Sequence, residues 1–111
     1  MMKEISAVIR PGKWSATARE LKEAGFSAMT RHRVMGRGKQ KGLSGGSGPG
    51  VRLLPKWWLI LVLEEAQVDD AIAALIRANR TGEIGDGKIF VSPVAETLRL
   101  RTEEIGYPAL C

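Results

Sequence analysis

Seven consecutive apolar residues, Trp57-Trp-Leu-Ile-Leu-Val-Leu, limit the folds open to this chain more than any other feature. The run is far too short to span a bilayer, which takes about 20 apolar residues in a helix. As a strand it is apolar at odd and even positions alike, so both of its sheet faces must be covered. A chain of 111 residues is one small domain, residues 1–111, with no room for a second. The two helices that its pattern provides can cover one sheet face only. The other face calls for a second subunit, because a patch this apolar does not stay exposed on a soluble monomer.

The rest of the chain supplies the partners of that strand. Ile5, Ala7 and Ile9 alternate over Glu4 to Ile9, a first strand ended by Pro11-Gly12. From Lys13 to Ala24, Trp14, Ala18, Leu21 and Ala24 recur at helical spacing, with Trp14 read as a core residue and Gly25 as a left-handed cap. Ser27 to Met35 reads as a second strand with one solvent face. Gln67 to Arg80 is a second amphipathic helix, closed at Gly82. After Pro93, Thr97-Leu-Arg-Leu-Arg-Thr alternates as a last strand would, putting Arg99 and Arg101 on one face. The order βαββαβ predicts an α+β, ferredoxin-like sandwich with a long flexible loop after the second strand; that architecture hosts many functions and decides none.

Chemistry concentrates in two glycine-rich places. Thr81-Gly-Glu-Ile-Gly-Asp-Gly-Lys-Ile-Phe-Val lies between a helix and a strand, where glycines turn backbone amides toward an anion and Lys88 adds a point charge. It is neither a Walker loop nor the dinucleotide fingerprint. Between Gly36 and Gly50 seven of fifteen residues are glycine, a composition that predicts a mobile segment in the absence of a ligand or partner. The net charge of +5 is local. From Ala24 to Leu63 no acid occurs, while Arg31, Arg33, Arg37, Lys39, Lys41, Arg52 and Lys56 give +7 and leave −2 elsewhere. An anionic partner is implied.

Several functions lose support at this point. Cys111 is the only cysteine and His32 the only histidine, so no disulfide and no cysteine metal cluster can form within the chain. No nucleophile, base and orienting group can be assembled, which argues against an enzyme. The N-terminus shows no secretory pattern, so the expected location is cytoplasmic, without membrane insertion. An RNA-binding domain of the same architecture is the second reading, but the exposed aromatics that stack bases are not in that domain's pattern, and no nucleic-acid partner is expected.

Four motifs in order carry a resemblance. Ile9-Arg-Pro, Gly36-Arg-Gly-Lys-Gln-Lys-Gly, Leu54-Pro-Lys and Thr81-Gly-Glu-Ile-Gly-Asp-Gly-Lys-Ile-Phe-Val-Ser-Pro-Val resemble those of the PII nitrogen-regulatory signal proteins over nearly the whole chain. The resemblance implies a homotrimer that binds ATP or ADP in clefts between subunits, senses 2-oxoglutarate, and regulates targets through an effector loop, about residues 38–54 here. On that basis Gly85, Asp86, Gly87, Lys88, Arg99 and Arg101, with Gly36, Gly38 and Lys39, would hold the nucleotide, and Thr30 and Val62 would enclose its adenine. Gln40 would help hold the Mg²⁺ that bridges nucleotide and 2-oxoglutarate. Lys56 would pair with the distal carboxylate of 2-oxoglutarate, and the backbone of Gly38, Gln40, Lys41 and Gly42 would wrap the rest.

The chain departs from the typical family pattern in its loop. Lys39 stands where many members have arginine, losing a bidentate fork. The loop is short and has no tyrosine for nucleotidylation, Tyr107 being the only tyrosine; Ser44 and Ser47 are candidates for phosphorylation but read better as spacers. These traits are similar to the PII-like proteins encoded beside nitrogenase genes. Nitrogenase is the expected target, ahead of an ammonium channel or a nitrogen-assimilation enzyme such as glutamine synthetase.

Overall fold

The computed structural model describes residues 1–37 and 53–110. The expectations for Gly38, Lys39, Gln40, Lys41, Gly42, Ser44 and Ser47 lie outside the described residues. Four strands, β1 (Met2–Ile9), β2 (Thr30–Gly36), β3 (Leu54–Glu64) and β4 (Lys88–Val94), and two helices, α1 (Trp14–Glu23) and α2 (Val68–Asn79), follow one another in the order βαββαβ. The sheet order is β2-β3-β1-β4 with every neighbouring pair antiparallel, the ferredoxin-like arrangement. No helix among the described residues is long and apolar enough to cross a membrane.

Alternation decides which side chains meet the helices. Ile5, Ala7 and Ile9 of β1 and Leu59, Leu61 and Leu63 of β3 are buried with Leu21 of α1 and Leu75 of α2. Each such leucine or isoleucine contributes roughly 1.5–3 kcal/mol by leaving water. Between the helices, Asn79 Nδ2 donates to Thr17 Oγ1 at 3.0 Å, and Thr17 Oγ1 donates to the Lys13 carbonyl at 2.7 Å. Glu64 and Gln67 cap the short 3-10 turn Glu65–Gln67 reciprocally, and Asp69 and Asp70 sit in the first turn of α2, where the helix dipole favours negative charge.

The second face of β3 is open. Trp58 and Val62 keep 37% and 36% of their surface, and Phe90 of β4, which shares that face by register, is exposed as well. Both helices lie on the other side, as a helix pair of this size must. Trp14 packs at the margin of the core: it and Trp57, tilted to one another by 51°, both contact the Arg31 guanidinium, at 4.2 and 4.1 Å from their ring centres.

One predicted element does not form. The strand expected over Thr97 to Thr102 is a tight hairpin, with a single bridge between Leu98 and Ile105 and a turn across Leu100, Arg101 and Thr102. The amide of Arg99 donates to the Glu104 carbonyl and that of Gly106 to the Thr97 carbonyl, and Glu103 takes a positive φ of 64° to close it. The chain reverses on itself within ten residues, so the alternating pattern describes an exposed ribbon. Arg99 and Arg101 consequently do not share a strand face: Arg101 lies in the turn, and the Arg99 guanidinium donates to Glu104 at 2.8 Å and to the Pro108 carbonyl at 3.0 Å.

Candidate functional site

The glycine turn after α2 is built around Asp86. Its carboxylate accepts the amides of Thr81 at 2.8 Å and Gly82 at 3.0 Å and the Thr81 hydroxyl, and these bonds, the hydroxyl's first, hold it below the ordinary carboxylate range. The first two amides of the run, expected to be open to an outside anion, therefore serve an internal one. Asp86, expected among the nucleotide-binding residues, has a structural task in the single chain.

Beyond Asp86 the turn is pressed against β1. Gly87 has φ 115°, and a Cβ there would sit 1.9 Å from the Val8 carbonyl oxygen, so no other residue fits without parting the strands. This approach sets Lys88 directly opposite Val8, and Val8 in turn opposite Trp58. Lys88 thus begins β4 on the open face of the sheet.

Two cations converge on the turn from other elements. Arg10, just past the end of β1, donates through Nε to the Gly85 carbonyl at 3.0 Å and through Nη2 to the Ile84 carbonyl at 2.8 Å, and pairs with Asp86 at 3.4 Å. Lys56, in β3, donates to the same Gly85 oxygen at 3.3 Å and is only 9% exposed. Burial, and then the nearby Arg10, push the Lys56 ammonium below the usual lysine value. Two positive charges face one carboxylate and two neutral carbonyls, a surplus that favours an incoming anion. Gly36 completes the cluster, since a Cβ there would lie 3.6 Å from Lys56 Cγ.

The structure thus brings Gly36, Lys56, Gly85, Asp86, Gly87 and Lys88 together. Thr30 lies opposite Ile60 at the start of β2, and Val62 is two residues further along the same face of β3. Arg99 and Arg101 stand in the C-terminal hairpin instead. Arg10 was absent from the expected set although Ile9-Arg-Pro contains it; its partners are about 75 positions away, and no local spacing signals them. No group of three or more His, Cys, Asp or Glu residues placed to hold a metal occurs among the described residues.

The chain is thus a ferredoxin-like domain with a cationic, glycine-lined turn at one end of an uncovered sheet. Comparison with known proteins narrows the class. The family profile "Nitrogen regulatory protein P-II" matches residues 2–104, and the chain belongs to that family. It is 40% identical over 121 residues, across 98% of this chain and all of the other, to the "Nitrogen fixation nifHD region glnB-like protein 2" of Methanococcus maripaludis. It is 45% identical over 106 residues, covering 93% and 95% of the two chains, to the "Nitrogen regulatory protein P-II" of a Synechocystis species. Arabidopsis thaliana PII, in a crystal structure bound to citrate, superimposes with a TM-score of 0.83 at 31% identity, covering 98% of this chain and 89% of that one.

Proposed function

We propose that this nitrogen-regulatory protein acts as a homotrimer that binds ATP or ADP and 2-oxoglutarate and passes their levels to a target protein by direct contact, without turnover of its own. The observation that carries the reading is the convergence of Arg10 and Lys56 on the Gly85 carbonyl, beside Gly87 and Lys88. A carboxylate entering there can take the place of that neutral oxygen and meet both donors with a full charge, a stronger bond than the one it replaces. The citrate held by the Arabidopsis protein supports this choice of a small polycarboxylate. In the trimer, Arg99 and Arg101 would serve a cleft formed with a neighbouring chain, and Thr30 and Val62 would flank its adenine. Mg²⁺ would fall to Gln40.

Nitrogenase is the favoured target, because the relative from Methanococcus maripaludis takes its name from a nifHD region. An ammonium channel or glutamine synthetase is the alternative.

Calorimetry on three proteins tests the reading. Lys88→Ala should weaken ATP by about tenfold or more, the loss expected for one charge-assisted contact. Lys56→Ala should keep ATP affinity and lose 2-oxoglutarate binding. Because the Lys56 pKa is lowered, wild-type affinity for 2-oxoglutarate should also begin to fall, as pH rises, sooner than an ordinary lysine would dictate. Unchanged 2-oxoglutarate affinity in Lys56→Ala would refute the assignment.

A further inference from the structure

On the helix side of the sheet lies a second feature, which meets the cation cluster only from behind, at the turn from Asp86 to Lys88. Ala7 and Ile9 of β1, Leu75 and Ile76 of α2 and Ile89 of β4 wall a cavity of about 330 Å³ under the last turn of α2. Its volume falls within the range of about 300–1,000 Å³ common for small-molecule sites. By strand alternation Ala7, Ile9 and Ile89 point to the helix side, whereas Lys56 and Trp58 stand on the opposite face, so this cavity approaches the glycine turn from behind.

Three further observations specify what it would hold. Ile76 is the one large apolar side chain of α2 that is exposed, 42% open, and it lines this space. Arg80, also in the lining, has no carboxylate within ion-pair distance among the described residues, while the one acid there, Asp86, is engaged by Arg10 and Thr81. Asn79, another lining residue, is 7% exposed, and its Oδ1 has no hydrogen-bond partner although its amide nitrogen donates to Thr17 and Leu75. Apolar walls exclude a sugar or a triphosphate, whose hydroxyls and charges would go unmet. They accept an alkyl or aryl body. One unpaired cation suits a single negative head.

We propose that this cavity is a binding site for a small amphipathic anion, a medium-length aliphatic or aromatic monocarboxylate, with its body against Leu75, Ile76 and Ile89 and its carboxylate toward Arg80. The backbone of Gly87 and Lys88 separates the two sites. A ligand on the helix side would therefore bear on the same turn that Arg10 and Lys56 hold from the front. The inference does not depend on nucleotide or 2-oxoglutarate binding.

Octanoate, titrated into the full chain by calorimetry with 1-octanol and acetate as controls, tests it. Octanoate should saturate at one per chain, with octanol and acetate each at least about tenfold weaker. Ile76→Trp, which adds bulk at a surface position of the groove, should weaken octanoate about tenfold, and the exposed Arg80→Gln about threefold or more, both with wild-type circular dichroism. Absence of saturation, equal affinity for octanol, or unchanged affinity in the folded Arg80→Gln protein would overturn the proposal. So would complete displacement of octanoate by ATP, which would place it in the nucleotide cleft.

Discussion

At Gly87 the turn comes so close to β1 that a single added carbon would overlap the Val8 carbonyl. Gly87→Ala combines a positive φ, costing an L-residue about 1–2 kcal/mol, with a displacement of β4 from β1. We expect a loss of at least about 2 kcal/mol in urea unfolding; a change near zero would mean that the strands part easily. At Asp86 the sign follows from linkage. Its folded pKa lies below the unfolded value, so the stability it contributes is present above about pH 4 and lost as pH falls through the folded value. Asp86→Asn should flatten the dependence of the unfolding midpoint on pH between about 5 and 2, and parallel curves for the two proteins would contradict the capping role. Gly85, Gly87 and Lys88 were legible in the sequence because a turn's glycines are local, and Lys56 because it sits in a short motif. Arg10 was not, since the groups it holds belong to a distant part of the chain and only the fold joins them.

Between elements, Arg31 adds a side-chain tie from edge strand β2 to α1, beside the ladder that joins β2 to β3. Its guanidinium lies against both Trp14 of α1 and Trp57 of β3, while among the described residues Arg33 meets one ring, Trp57, at 5.2 Å from its centre. With about 0.5–1 kcal/mol for each exposed cation–π contact, Arg31→Ala should cost about 1–2 kcal/mol and Arg33→Ala about half of that. Unfolding followed by circular dichroism would show it, and equal losses for the two variants would remove the second ring contact as the cause. The helices and β1 were readable from period, β2 from its residue types and β3 from its continuous apolar run, with ends shifted by a few residues, as in β3, which starts at Leu54. The last strand was misread because alternating leucine and arginine looks alike in a sheet and in a self-paired hairpin. What separates them is the positive φ at Glu103 and the bonds from Arg99 to Glu104 and Pro108, and residue pattern encodes neither.

For the whole molecule, the sequence made one face of β3 buried and left the other in need of cover, and the single chain shows that division: Leu59, Leu61 and Leu63 inside, Trp58 and Val62 outside. The pattern could say that something must lie there; the identity and number of the covering chains belong to the trimer proposed above. The division also sets an order of events. The helix-side core closes within one chain, so it can form at any dilution, whereas in the trimer proposed above Trp58 would be shielded only after chains collide. Refolding should accordingly show an early phase, seen by far-ultraviolet circular dichroism, whose rate is independent of protein concentration. A later phase, seen by tryptophan fluorescence, should quicken with concentration and disappear in Val62→Glu, which leaves Trp58 in place as the reporter. Newly made copies would then wait as folded but incomplete subunits, and the rate at which they become competent would rise with the amount of the protein already in the cell.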